Sequence, residues 1–177
     1  FFMCSADLRE FIDRHHLGRA MRPAQGAGFG VAAVLPDHIN PRAVFGTSTV
    51  KDHIYNTPRA WYMQRHLNPS EDWDSPAARY TPTSDDIPWC RAPENKVTVE
   101  DIDFLMSSHF EGTPFDPYGT LGTPESRHRY RPIGINRTGH MVAMQIRPYA
   151  PEASRSIMWI SGSRSNCGTT CRPQRRR

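Results

Sequence analysis

Apolar residues recur at helical spacing near the start of the chain and predict a first amphipathic helix. Its apolar face consists of Leu8, Phe11, Ile12 and His15. Ser5 is the predicted N-cap, because its hydroxyl can accept a hydrogen bond from a free N–H of the first turn. Gly18 is the predicted end, since glycine readily adopts the left-handed conformation that often follows a last turn.

Two further helices are predicted from capping signals and apolar spacing. The second begins where Thr57 caps and Pro58 takes the first helical position, and it ends at residues 68–69. The third begins at Thr98, three residues before Asp101, which is close to the spacing of a capping box. One side of this third helix carries Val99, Ile102, Leu105, Met106 and His109.

Two stretches lack clear periodicity. Residues 25–30 (QGAGFG) resemble half of a dinucleotide-binding fingerprint, but no strand precedes them and no helix with a distant acid follows. A loop is therefore the preferred interpretation. Residues 68–96 form a long polar connection that contains five prolines. Loops of this length inside a domain often line a functional site.

The pattern changes to two-residue alternation after residue 129, which is typical of strands. Strands are predicted over residues 130–136 and 140–147, joined by a short turn at 137–139, and over residues 155–160. Together they predict an antiparallel meander. Helices first and antiparallel strands afterwards indicate an α+β fold.

Composition and charge limit the class of protein. The 177 residues, 37% of them hydrophobic, are enough for one ordinary domain. No apolar run approaches the roughly 20 residues of a membrane helix, so no membrane partner is expected. Residues 162–177 contain five arginines and no acid, and subtracting these from the net charge of +4 leaves −1 for the other 161 residues. Because the excess is confined to one short segment, no nucleic-acid partner is expected.

Both ends of the chain differ from those expected of a complete protein. The chain starts at Phe1 and enters the first helix almost at once, so it is interpreted as an interior fragment. Residues 162–177 lack apolar periodicity, and either a disordered basic terminus or a frame-shifted, spurious end explains them. The expected organisation is a partial domain over residues 1–161 followed by this tail.

The four cysteines predict neither disulfides nor a metal site. They are Cys4, Cys90, Cys167 and Cys171. Without a secretory signal, reduced thiols are the preferred interpretation. The last two are four residues apart, and no His or Cys pair at ligand spacing completes a zinc site. No metal and no cofactor are expected.

Candidate chemistry gathers in three polar segments. His109 can be a catalytic or substrate-binding group at a helix C-terminus, but a core histidine with one satisfied nitrogen is the preferred interpretation. Residues 55–59 and 135–138 place polar atoms at a helix start and at a predicted turn, where free N–H groups suit a carboxylate or an oxyanion. Capping and turn formation explain Thr57 and Asn136 equally well.

Five sequence blocks together resemble the dipeptidase A family of bacterial cysteine peptidases. They are NPR at 40–42, YNTPRAWYMQR at 55–65, DDIPW at 85–89, SSHFEGTPFDPYG at 107–119 and YRPIGINR at 130–137. The blocks stand in the order of the family and cover the chain from about Ser5 to Ile160. The resemblance is specific, because several long blocks agree rather than one short pattern.

This resemblance implies an N-terminal-nucleophile hydrolase with a four-layer αββα fold, which cleaves dipeptides in the cytoplasm without a metal. In that class a Cys at the mature N-terminus attacks the carbonyl, and its own α-amino group is the base because it titrates near neutrality. The resemblance places this nucleophile upstream of Phe1. Cys4 is rejected as a substitute, because a helix cap rather than a buried strand follows it.

The substrate class and the site residues have alternatives. A dipeptide offers a free ammonium and a free carboxylate, whereas an N-acyl amide needs an apolar pocket, and a truncated chain can also be non-catalytic. Glu111 and Asp116 are candidates for the ammonium, and Arg59 or Arg137 for the carboxylate. The other candidates are Asn56 for substrate binding and Asn136 and His109 for catalysis. The expected partner is a dipeptide, and a homo-oligomer is left open.

Overall fold

The computed structural model describes residues 5–17, 34–35, 38–39, 45–88, 90–135, 138 and 140–162. The chain divides into two compact units. Unit 1 comprises Phe1–Trp61 and Asp72–Arg91, and unit 2 comprises Tyr62–Glu71 and Ala92–Arg177. The partial domain over residues 1–161 and the separate tail stay predictions.

Short helices and one small pair of strands make up the described part of unit 1. They are α1 (Leu8–His15), β1 (Val34–Leu35), β2 (His38–Ile39), α2 (Asp52–Tyr55) and α3 (Thr57–Leu67), of which α3 continues into unit 2. Strands β1 and β2 pair antiparallel. The sequence patterns predict neither these two strands nor α2. The predicted loop at residues 25–30 lies outside the described residues.

Helix α1 confirms the first predicted helix but corrects both of its ends. Asp7 rather than Ser5 is the N-cap residue, and the carbonyl oxygen of Ser5 accepts a hydrogen bond from Leu8 N at 3.1 Å. At the other end, His16 adopts a left-handed conformation with φ of 50°. The helix therefore ends before Gly18, a residue outside the described part of the chain.

Helix α3 has the extent predicted for the second helix. Thr57 is its first residue rather than its cap, and Thr57 Oγ1 donates to the carbonyl oxygen of Asp52 at 3.2 Å. This contact joins α3 to α2, so the helical path begins earlier than predicted. The described residues of the connection at 68–96 contain no helix or strand, as the polar sequence predicts.

The core of unit 1 is aromatic. Trp61 Nε1 donates to the carbonyl oxygen of Tyr80 at 3.2 Å, and Trp73 stacks on Tyr80 with ring centroids 5.6 Å apart. The other buried apolar side chains of this unit are Ile12, Pro58 and Ile87. Because Trp73 and Tyr80 belong to the long connection, that connection supplies core residues and is not a solvated linker.

Unit 2 contains the end of α3 and a set of later elements. They are α4 (Val99–Ser107), α5 (Pro124–Arg127), β3 (His140–Ile146), a 3₁₀ turn (Glu152–Ser154) and β4 (Ser156–Gly162). The capping box of α4 confirms the sequence prediction: Thr98 Oγ1 accepts from Asp101 N at 3.1 Å, and Asp101 Oδ2 accepts from Thr98 N at 2.8 Å. The short helix α5 is not predicted by the sequence.

Residues 130–135, predicted as most of a strand, are irregular and lie against the end of α4. Gly134 N donates to the carbonyl oxygen of Ser108 at 2.7 Å, and a Cβ at Gly134 would come within 2.2 Å of Ser107 O. Pro132 has no N–H to give to a strand ladder. The predicted strand at 130–136 is therefore wrong over its described residues, and the meander reduces to two strands.

Strands β3 and β4 form an antiparallel pair with a helix on it. The register runs from His140 opposite Gly162 to Ile146 opposite Ser156. Exposure alternates along β3, with Ala143 buried, and α4 packs against this strand. Helices together with antiparallel strands confirm the α+β class.

Candidate substrate-binding site

The residues between α4 and α5 form a tight loop at residues 108–119, which holds the candidate site. Ser108 ends α4 in an extended conformation, so His109 lies in the loop and not on the apolar face of the helix, where the spacing placed it. Phe110 has a φ of 72° and Gly112 a φ of 73°. Such a conformation is strained for a bulky residue such as Phe110, and strain of this kind is concentrated at functional sites.

Burial of its ring stabilises the strained residue Phe110. The side chain is fully buried, and its ring meets Tyr62 edge-on at a centroid distance of 5.5 Å and Tyr130 at 6.5 Å. Thr113 Oγ1 donates to the carbonyl oxygen of Phe110 at 2.8 Å. The turn is therefore fixed by packing of the Phe110 ring. His109 and Glu111 are the residues directly before and after Phe110.

His109 lies between two carboxylates. Its Nδ1 is 2.7 Å from Asp116 Oδ1, and its Nε2 is 3.3 Å from Glu111 Oε1. The ring edge also meets Tyr118 at a centroid distance of 4.8 Å. The preferred interpretation from sequence was a core histidine with one satisfied nitrogen, but both ring nitrogens have an acidic neighbour and the side chain is 25% exposed.

Glu111 is held by donors from two parts of unit 2. Its Oε2 accepts from His109 N at 2.9 Å and from the Tyr62 hydroxyl at 3.2 Å. Burial raises the pKa of the Tyr62 phenol above its ordinary value, and the charge and hydrogen bond of Glu111 raise it further, against a smaller opposite effect of Arg65. Tyr62 is therefore a protonated donor to Glu111 at physiological pH.

The two acids differ in what they can offer a ligand. The Asp116 side chain is 9% exposed, and its Oδ1 already accepts from Tyr118 N at 2.9 Å besides facing His109. The Glu111 side chain is 34% exposed. His109, Glu111 and Asp116 together carry net negative charge whether His109 is neutral or protonated. The arrangement suits a small cation with N–H donors, and Glu111 is the acid that can reach it.

The same three side chains do not make a metal site. Among the described residues, no group of three or more His, Cys, Asp or Glu side chains is placed to hold a metal ion. In the 108–119 loop the reason is geometric, since Glu111 and Asp116 face different nitrogens of His109 and do not converge on one point.

The other candidate residues belong to unit 1 or fall outside the described residues. Asn56 and Arg59 belong to unit 1, where Asn56 Nδ2 donates to Asp52 Oδ1 at 2.7 Å. Asn136 and Arg137 lie outside the described residues. The structure thus brings together three predicted residues, His109, Glu111 and Asp116. It also adds Tyr62, which no sequence pattern linked to Glu111 because the two are 49 positions apart.

A Ser, an Asp and a His also meet in unit 1, but not as a nucleophilic triad. Ser48 Oγ donates to Asp85 Oδ2 at 2.7 Å, and His53 Nε2 lies 2.9 Å from Asp85 Oδ1. In a triad the histidine contacts the nucleophile and the acid contacts the histidine. Here the acid is in the middle, so the contacts fasten the segment around Asp85 to α2 and activate no hydroxyl.

Comparison with known proteins assigns the family. The sequence profile of Peptidase family C69 matches residues 2–171. A protein named "Dipeptidase" from Bifidobacterium longum is 56% identical over 160 residues, which are 90% of this chain and 28% of that protein. "Probable dipeptidase A" of Streptococcus pyogenes is 42% identical over 160 residues, 90% of this chain and 30% of its own length.

The chain is therefore one of the C69 peptidases: it belongs to Peptidase family C69, and its resemblance to the dipeptidase A family is confirmed. "Dipeptidase A" of Lactobacillus helveticus is 37% identical over 163 residues, 90% of this chain and 29% of its own length. The chain thus spans less than a third of the length of these relatives. Within the described residues, no helix is both long and apolar enough to cross a membrane.

Proposed function

We propose that this chain is the ammonium-binding part of a cysteine dipeptidase. In this proposal a segment preceding Phe1 supplies an N-terminal Cys, which attacks the peptide carbonyl while its own α-amino group takes the proton. No metal takes part. The names of the relatives, "Dipeptidase" and "Dipeptidase A", support the reaction class. On the resemblance, we also propose the cytoplasm as the place of the reaction.

The observation that carries the proposal is the partly exposed carboxylate of Glu111. A dipeptide differs from an N-acylated substrate in its free α-ammonium, and a carboxylate binds that group through charge-assisted hydrogen bonds. Glu111 is 34% exposed and keeps lone pairs beyond those that His109 N and Tyr62 occupy. Asp116 adds negative charge behind His109, although its own oxygens are nearly buried.

The carboxylate end of the substrate needs a cation. Arg137 and Arg59 are the candidates, because a guanidinium binds a carboxylate through two parallel hydrogen bonds. We include Asn56 in substrate binding and Asn136 as a donor to the oxyanion of the reaction. These assignments rest on the resemblance and on residue chemistry.

The four-layer αββα fold is part of the proposal, and the sheet of unit 2 supports it. Helix α4 packs against β3, which provides one helix layer and one sheet layer. The strand residues that alternate with the buried Ala143 are apolar and exposed: Val142, Met144 and Ile146 on β3, and Met158 and Ile160 on β4. An apolar sheet face of this kind suits packing against a second sheet. The peptidase domain then includes residues 1–161, with 162–177 as a tail.

The experiment compares a free dipeptide with its N-acetylated form as substrates of the full-length protein. If Glu111 binds the ammonium, acetylation should lower kcat/KM by about 100-fold or more, because it removes the charge and leaves the carboxylate without a partner. Replacement of the terminal Cys by Ala should abolish hydrolysis of both substrates.

The alternatives give different results in the same assay. An N-acyl amide hydrolase of this fold would prefer the acetylated substrate, which contradicts the dipeptidase proposal. A non-catalytic chain would hydrolyse neither substrate at any pH. Arg137→Ala and Arg59→Ala identify which arginine holds the substrate carboxylate. Loss of that arginine should raise KM with little change in kcat.

A further inference from the structure

His109 is the residue through which the two acids of the 108–119 loop are connected. Nδ1 of His109 forms a hydrogen bond with Asp116, and Nε2 lies within ion-pair distance of Glu111 Oε1 without forming a hydrogen bond. The shorter contact, 2.7 Å, goes to the nearly buried Asp116, and the longer one, 3.3 Å, goes to the more exposed Glu111. Nδ1 of His109 is thus anchored to the nearly buried Asp116, and Nε2 faces Glu111, the acid proposed to meet the ligand.

We propose that His109 is a positioning residue of the dipeptide site, which holds the Glu111 carboxylate in the orientation that meets the substrate ammonium. This inference rests on the proposed function. Glu111 Oε1 faces His109 Nε2, and Oε2 faces His109 N and the Tyr62 hydroxyl. Oε2 is therefore held by two hydrogen bonds and Oε1 lies against the imidazole, which restricts the rotamers of Glu111 before the ligand arrives.

The strained turn supports this role. His109 contacts Glu111 by both its backbone N–H and its ring across Phe110, which adopts a φ of 72°. A histidine that served packing alone would not need the contacts on both sides of such a turn. Preorganisation of a ligand-binding carboxylate accounts for the strain.

Two substitutions, each of which keeps a nitrogen at one position of the ring, distinguish the roles of Nδ1 and Nε2 of His109. The amide nitrogen of asparagine lies about where Nδ1 of histidine lies, so His109→Asn keeps a donor to Asp116 and loses the ring contact with Glu111. The amide nitrogen of glutamine lies about where Nε2 lies, so His109→Gln keeps a polar N–H group beside Glu111 Oε1. In the full-length enzyme we expect His109→Asn to raise the KM for a dipeptide about tenfold with kcat unchanged, and His109→Gln to keep KM within about twofold.

A double substitution tests whether His109 acts through Glu111. On a Glu111→Gln background, His109→Asn should cause no further rise in KM, because the group that it positions is already lost. If His109→Asn does not fold, Tyr62→Phe removes another donor to Glu111 and should raise KM in the same way. His66→Gln is the matched control, since His66 lies 4.0 Å from Asp101 in the same unit and outside the loop.

The results distinguish this inference from the proposed function. If the unsubstituted enzyme hydrolyses dipeptides and both His109 variants share its KM, or raise it equally, the positioning role is wrong and the dipeptidase proposal stands. If the unsubstituted enzyme hydrolyses no dipeptide, the proposed function fails and the positioning role fails with it. A rise in KM confined to His109→Asn and absent on the Glu111→Gln background supports the inference.

Discussion

Two His–Asp pairs of this chain have nearly the same contact distance and different surroundings. In unit 1, His53 Nε2 lies 2.9 Å from Asp85, whose other oxygen accepts from Ser48. In unit 2, His109 Nδ1 lies 2.7 Å from Asp116. The Asp85 side chain is 28% exposed and that of Asp116 is 9% exposed.

The two pairs differ in the third group that each of them contacts, and this group decides whether the pair can take part in ligand binding. The pair of unit 1 ends in a serine hydroxyl that donates back to the acid, so its third group is a neutral donor that fastens a segment to α2. The pair of unit 2 continues through the second nitrogen of His109 to the partly exposed Glu111. A His–Asp contact by itself is therefore no sign of a site, and a further acceptor within reach of solvent is what makes this one a candidate.

The largest effect on stability is expected from substitution of Phe110, whose buried ring belongs to the same loop as the His109–Asp116 pair. Phe110→Ala should lower the free energy of unfolding by about 3–5 kcal/mol, because a fully buried ring is replaced by a cavity at a strained turn. Dipeptide hydrolysis should fall with it. Phe45→Ala is the matched control in unit 1, since Phe45 is 46% exposed. Urea unfolding of both variants checks the difference, and equal losses would contradict the account of the loop.

A smaller effect is expected when each acid of the two pairs loses its charge. Asp116→Asn should cost about 1–3 kcal/mol of stability, because it weakens a nearly buried hydrogen bond to His109. Asp85→Asn should cost less, about 1 kcal/mol, because this part-buried carboxylate is better hydrated than that of Asp116. Thermal unfolding of the two variants side by side measures this. A larger loss for Asp85→Asn would reverse the comparison of the two pairs.

The smallest effect concerns the helix start of unit 1. Hydrogen bonds from Thr49 and Thr47 lower the pKa of Asp52 below its ordinary value of 3.8. A lowered pKa in the folded state stabilises the fold above pH 3.8, and this contribution is lost as the pH falls through the lower folded value. Asp52→Asn should thus cost less than about 0.5 kcal/mol at pH 7, because the hydrogen bonds of this carboxylate are exposed to solvent, and the difference should shrink below about pH 4. A pH-independent difference between the two proteins would show that the carboxylate charge plays no part.

Local signals predicted local structure well. The capping box of α4 depends on two residues three positions apart, Thr98 and Asp101, and both of its bonds are present. The strand predicted at 130–136 is wrong because Gly134 is held by Ser108, a contact that alternation within the segment cannot reveal.

The acidic residues of the candidate site could be predicted from the sequence, but their arrangement in space could not. Residue chemistry and the family resemblance singled out Glu111, Asp116 and His109. The distant donor Tyr62 comes from another helix, and the left-handed Phe110 depends on burial between rings far apart in sequence. Such contacts form only when the chain folds, so periodicity and spacing do not report them.

Glu111→Gln tests directly whether the carboxylate of this residue recognises the free amine of the substrate. In the full-length enzyme this variant should raise the KM for a dipeptide about tenfold or more and leave the KM for the N-acetylated dipeptide nearly unchanged. Glu125→Gln, in the first turn of α5, is the matched control and should leave both unchanged. If Glu111→Gln hydrolyses the free dipeptide with the KM of the unsubstituted enzyme, Glu111 does not bind the substrate ammonium and the account of this site is wrong.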